Sequence, residues 1–87
     1  MQATEVYAKE FDARFFKLPT EVQDRIERKI MEMGSRLPQF PHYRLTGSDC
    51  YRLRVGDYRV VYQFNLNDGE IYLITLGNRR DVYRGLK

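Results

Sequence analysis

The sequence predicts an α+β domain: an antiparallel sheet with a two-helix hairpin packed on one face, in the order β-α-α-β-β-β. Three observations predict it. Residues 51–63 alternate apolar with mostly basic or polar side chains on both sides of Gly56-Asp57. Residues 9–33 place apolar side chains at helical spacing, with Pro19 as the break. Asn67-Asp68-Gly69 then separates that alternating stretch from another apolar run, Ile71 to Gly77. Period-2 and period-3.6 patterns in one short chain mean strands and helices sharing a core.

Taken in order, Gln2 to Ala8 is a short strand candidate, with Val6 and Tyr7 suited to a pleated surface. Phe11, Phe15 and Leu18 recur at helical spacing until Pro19 stops the pattern. Thr20 opens a second helix, where Thr20 and Gln23 have the spacing of a capping box. Val22, Ile26, Ile30 and Met33 form its apolar stripe. Glu21 with Arg25, and Asp24 with Arg28, are spaced as supportive pairs, and Gly34 is placed as a C-terminal cap. Arg36 to Asp49 contains Pro38 and Pro41 and reads as a loop, with His42 at the surface.

The central hairpin has the most determinate register. With Gly56-Asp57 as a two-residue turn, Val55 pairs with Tyr58, Arg54 with Arg59, Leu53 with Val60 and Arg52 with Val61. Tyr51, Leu53, Val55, Tyr58, Val60 and Tyr62 then share the core face, while Arg52, Arg54 and Arg59 share the other. Like charges placed opposite one another destabilise a hairpin, so three arginines on one face point to an anion. A three-residue loop at residues 67–69 pairs Leu66 with Glu70. It sets Tyr72, Ile74 and Leu76 on the core face, Arg59 opposite Gly77, and Arg79 toward the arginine face.

The chain has 87 residues, 43% hydrophobic content, twelve Phe and Tyr residues and a formal charge of +3. That composition fits one globular domain, residues 1–87, and not a disordered chain. Cys50 is the single cysteine, so an internal disulfide is excluded, and no metal-ligand spacing occurs. No apolar run approaches a membrane span, and the N-terminus lacks a signal-peptide pattern. The expectation is a soluble, cytoplasmic protein.

Four runs appear in sequence: Tyr43-Arg44-Leu45-Thr46-Gly47; Cys50-Tyr51-Arg52-Leu53-Arg54-Val55; Gly56-Asp57-Tyr58-Arg59-Val60-Val61-Tyr62; and Leu76-Gly77-Asn78-Arg79-Arg80-Asp81-Val82-Tyr83. Together they closely resemble the RelE toxins of toxin–antitoxin systems, and the likeness covers nearly the whole chain. The resemblance implies a ribosome-dependent endoribonuclease that cuts messenger RNA in the decoding site. It also implies a cognate antitoxin that holds the toxin inactive in a hetero-oligomer, and no metal or other cofactor.

Carried over by position, Arg59, Arg79 and Tyr83 match the family's catalytic residues, with Arg52, Arg54 and Arg80 assigned to RNA binding. Arg59 and Arg79 are expected on the solvent face of the sheet. Arg52 and Arg54 stand where the best-known member has lysines, and Asn78 replaces a further basic residue. Arginine does not give up its proton as a buried lysine can, so a general-base role does not transfer to them. The same fold resembles the ParE toxins, which inhibit DNA gyrase without chemistry, and a nonenzymatic RNA-binding module is a third reading. Asp57 and Asp81 read as turn residues.

Overall fold

A computed structural model describes residues 2–78. The elements are β1 (Thr4–Tyr7), α1 (Lys9–Phe15), α2 (Thr20–Ser35), β2 (Tyr43–Arg44), β3 (Tyr51–Val55), β4 (Tyr58–Asn65) and β5 (Glu70–Asn78). They build one sheet in the order β1-β5-β4-β3-β2. The helices cover one face, where Phe11, Phe15, Ile26, Ile30 and Met33 meet Leu53, Val60, Tyr62, Ile71, Leu73 and Leu76 in the core.

The α+β architecture is the expected one, but the sheet is mixed. The helical hairpin carries the chain across the sheet, so β1 runs parallel to β5, with Thr4 beside Glu70 and Tyr7 beside Leu73. Within the predicted loop, Tyr43 and Arg44 form a two-residue strand paired with Arg52 and Tyr51. Strand β4 lies between β3 and β5, and its Val60 and Tyr62 are fully buried.

Both helix-end expectations are corrected. Pro19 occupies the N-cap with φ near −57° and no side-chain cap bond, which leaves Thr20 inside the helix. The Gln23 side chain instead donates to the Leu18 carbonyl at 2.9 Å. Gly34 is a buried helical residue and not a cap. Its carbonyl accepts from the Ala3 amide at 3.0 Å, and a Cβ there would stand 2.6 Å from Gln2 Nε2. Glycine here lets the N-terminal segment pass close to the helix.

The β3–β4 register is as the alternation required, from Val55 with Tyr58 to Tyr51 with Tyr62. Gly56 supplies the positive φ, +59°, that its turn needs. The β4–β5 register departs from expectation at its turn end. Asn65 pairs with Glu70 around a four-residue turn, closed by the Asp68 amide donating to Asn65 Oδ1 at 3.1 Å. Ile71 and Leu73 therefore enter the core in place of Tyr72 and Ile74. A bulge between Val61 and Tyr62 absorbs the extra residue on β5. Beyond it, Val60 pairs with Leu76 and Arg59 with Gly77 as anticipated.

Candidate functional site

The candidate site lies on the sheet face turned away from the helices, where alternation places Arg52, Arg54 and Arg59. Arg54 and Arg59 are direct partners across β3 and β4, and Arg59 faces Gly77 on its other side. Glycine at that position presents no side chain against the arginine.

Arg59 is not on an open surface. It is only 6% exposed, a correction to the sequence expectation that follows from its place on the central strand. Its Nη1 donates to the carbonyls of Tyr58 at 3.3 Å and Gly56 at 3.5 Å, both long contacts. No carboxylate lies within ion-pair distance of it among the described residues. Val61 and Thr75, paired on the same face, are also buried. Thr75 Oγ1 finds no hydrogen-bond partner among the described residues.

Arg52 and Arg54 are exposed. The Arg52 guanidinium lies over the Tyr43 ring, 5.6 Å from its centroid, so β2 orients this arginine. Arg79, Arg80, Asp81 and Tyr83 lie outside the described residues. Asp57 occupies the hairpin turn, as expected.

His42 is placed differently from its surface expectation. It stacks on Phe64 at 4.0 Å between centroids and lies among Phe40, Tyr51 and Tyr62. Nε2 faces the Leu37 carbonyl at 2.8 Å, and Nδ1 faces the Tyr62 hydroxyl at 2.6 Å. A carbonyl only accepts, so Nε2 carries a proton and donates to Leu37, while Nδ1 is paired with the Tyr62 hydroxyl. Burial, with Tyr51 as the lesser cause, pushes the Tyr62 phenol well above its ordinary 10.0. This cluster closes the core on the helix side of the sheet, remote in role from the arginine face.

Cys50 is half-buried, and its Sγ accepts a long contact from Gln63 Nε2 at 3.8 Å, which provides no base. Among the described residues no cluster of histidine, cysteine and carboxylates suits a metal ion. No helix among them is long and apolar enough to cross a membrane.

One group of cations escapes a reading by spacing. The expected pairs of Arg25 with Glu21 and Arg28 with Asp24 do not form; among the described residues the ion pairs are Lys29–Glu32, Arg36–Glu32 and Arg44–Asp49. Arg25, Arg28 and Lys29 instead line a groove with Arg54 and Gly56. Their common helical face was available as a signal, but the nearby acids concealed it.

Comparison with known proteins supplies context for this geometry. Residues 6–83 match the family described as the ParE toxin of type II toxin-antitoxin system, parDE. Among solved structures, a variant of the E. coli toxin RelE in the free state is 26% identical, with a TM-score of 0.71 over 90% of this chain and 84% of that one. The archaeal RelE–RelB complex from Pyrococcus horikoshii OT3 gives 25% identity and a TM-score of 0.74, covering 94% and 100%. The RelBE2 toxin–antitoxin complex from Mycobacterium tuberculosis, 14% identical, shares the fold with a TM-score of 0.75 over 93% and 95%. No match arises among functionally curated proteins.

Proposed function

The chain belongs to the ParE toxin family of type II toxin–antitoxin systems, within the RelE/ParE superfamily, and from that membership we propose a ribosome-dependent endoribonuclease that cuts messenger RNA in the decoding site. The observation that carries this reading is Arg59, a buried cation with no carboxylate partner among the described residues and a second arginine directly opposite. A buried charge left unpaired is costly to a fold, so a site that keeps one is built for an anion that arrives later. A phosphodiester in transit to its transition state is such an anion. The likeness to RelE structures favours RNA as its source.

In this reading the ribose 2′-hydroxyl attacks the adjacent phosphorus in line. An oxygen–phosphorus bond forms as the bond to the 5′-oxygen of the next nucleotide breaks. The upstream fragment ends in a cyclic phosphate; the downstream fragment begins with a 5′-hydroxyl. Arg59 and Arg79 stabilise charge on the phosphoryl and leaving oxygens through charge-assisted hydrogen bonds. Arg52, Arg54 and Arg80 hold the strand. Tyr83 stacks on a base or moves the proton between attacking and leaving oxygens. With so few acid–base groups on the face, the ribosome supplies the in-line geometry. That substrate places the protein in the cytoplasm. A cognate antitoxin neutralises it in a hetero-oligomer, its acidic side chains taking the phosphate positions. Solved relatives are themselves toxin–antitoxin complexes.

The matched family is that of the ParE toxins, and the resemblance to them implies a second reading, inhibition of DNA gyrase without chemistry. One experiment separates the two. Purified protein is added to translating ribosomes and message ends are mapped, while a parallel sample is assayed for gyrase supercoiling. New ends in the decoding site with supercoiling intact support the nuclease. Lost supercoiling with intact message replaces it with the gyrase reading.

A further inference from the structure

Positions 25, 28, 29 and 32 fall on one face of α2, spaced by three, four and seven residues, and Arg36 follows at the C-cap. That stripe runs roughly 16 Å along the helix at about 1.5 Å per residue. It borders the outer side of β3, which β2 covers only at Tyr51 and Arg52, leaving Leu53 to Val55 as an open edge. Two adjoining grooves share Lys29, Glu32 and Arg54 and so form one continuous channel. At its far end, Arg25 Nη1 reaches to 4.0 Å of the point where a Cβ on Gly56 would stand.

Six cations line this channel: Arg25, Arg28, Lys29, Arg36, Arg52 and Arg54. Against them stands one carboxylate, Glu32, which is already held by Arg36 at 3.1 Å and Lys29 at 3.7 Å. Those two partners, Arg36 first, draw its carboxyl below the usual range. The channel therefore keeps a large positive excess along an extended, rigid line. Of its two rings, Phe40 is buried with Arg36 over it at 5.2 Å, and Tyr43 is exposed with one face under Arg52 at 5.6 Å. Proteins that grip single strands use free aromatic faces beside their cations. Here six cations share a single exposed, half-covered ring, a proportion that suits the regular phosphates of a double helix better than the stacked bases of a single strand.

We propose that the α2–β3 edge is a second RNA-binding surface, which holds the phosphate backbone of double-helical RNA beside the strand being cut. The inference rests on the RNA-directed reading above and extends it around the sheet edge onto the helix. It assigns Arg25, Arg28 and Lys29 to RNA contact.

The test uses the full chain carrying Arg59→Leu, so that probes stay uncut, and an RNA hairpin with a stem of about one and a half turns as probe. Arg25→Gln, Arg28→Gln and Lys29→Gln are combined in that background. Lys9→Gln with Lys17→Gln, two exposed lysines at and after α1, serves as the control. Affinity is measured across a salt series, with a single-stranded RNA of equal length alongside. The triple variant is expected to bind the hairpin about tenfold or more weaker, with the salt slope reduced by roughly two to three. The control pair is expected to stay near the parent. Unchanged affinity and slope, an equal loss in the control pair, or a loss confined to the single strand would each overturn the proposal. Message cleavage by the wild-type chain is assayed separately. Hairpin binding lost in the triple variant with no wild-type cleavage leaves this edge standing and removes only the nuclease.

Discussion

Arg54 and Arg59 face each other directly across the β3–β4 ladder, the first exposed and the second 6% exposed. Cα atoms so paired sit about 4.5 to 5.5 Å apart, so the fold holds two positive charges where a hairpin tolerates them poorly. In the proposed reading function, and not stability, accounts for the arrangement, and the two are separable by experiment.

Replacing Arg59 by Leu removes a buried charge that has no carboxylate partner among the described residues, while keeping much of the volume. Thermal stability is expected to be equal or higher, because apolar residues in place of buried ions are often neutral or stabilising. Cleavage of ribosome-bound message is expected to fall about a hundredfold or more, the typical cost of one preorganised donor to an oxyanion. Calorimetry and single-turnover kinetics on the same preparation check both halves. Normal cleavage by the variant would remove Arg59 from the reaction.

Thr75, 2% exposed, keeps a hydroxyl without a partner among the described residues, paired across from Val61. An unsatisfied buried hydroxyl costs about 1 to 3 kcal/mol. Thr75→Val, which exchanges that hydroxyl for a methyl, is expected to raise the urea midpoint, by about 1 kcal/mol in unfolding free energy. Destabilisation of that size in the opposite direction would show that the hydroxyl is satisfied after all.

Alkaline pH probes the aromatic cluster around His42. Burial raises the folded-state pKa of Tyr62 above its ordinary 10.0, so the unfolded chain loses this proton first. The resulting stability is fully present below pH 10 and is lost as pH rises above it toward the folded-state value. The loss reaches at most about 1.4 kcal/mol per pH unit for this one group. Urea unfolding of wild type and Tyr62→Phe between pH 9 and 11.5 tests it. The phenylalanine variant is expected to show a shallower decline, the remainder including Tyr7, raised by burial and by its hydrogen bond to Glu5. Parallel curves for the two proteins would contradict the assignment.

The nucleophile in the proposed reaction belongs to the RNA. Cys50 has no base beside it among the described residues, and His42 is committed to Leu37 and Tyr62. A message with hydrogen in place of the 2′-hydroxyl at the nucleotide before the cut is expected to bind ribosomes normally and resist cleavage. Cutting of that deoxy bond at the normal rate would mean attack by water or by a protein group.

Much of the fold was legible because its determinants are local. The Tyr51–Gln63 stretch carries its own alternation and its own turn, so every pair of the hairpin could be written from residue types alone. The four-residue turn before Glu70 was not legible. Asn-Asp-Gly accommodates loops of more than one length, and the choice depends on which of two apolar sets, Ile71 and Leu73 or Tyr72 and Ile74, fits beneath the helices. The bulge at Val61 and Tyr62 then lets one strand satisfy both ends.

By itself, then, the sequence determined the class of fold, the two helices, the central hairpin and the face on which its arginines stand. Periodicity and turn chemistry act between near neighbours and need no knowledge of the whole. Tertiary structure decided what depends on distant partners. It set the parallel placement of β1, put His42 under Phe64 and Tyr62, buried Arg59 at the middle of the sheet, and left Arg25 and Arg28 with no ion pair among the described residues beside the open edge of β3. Burial and charge pairing are properties of what else arrives at a surface, and residues far apart in the chain decide that.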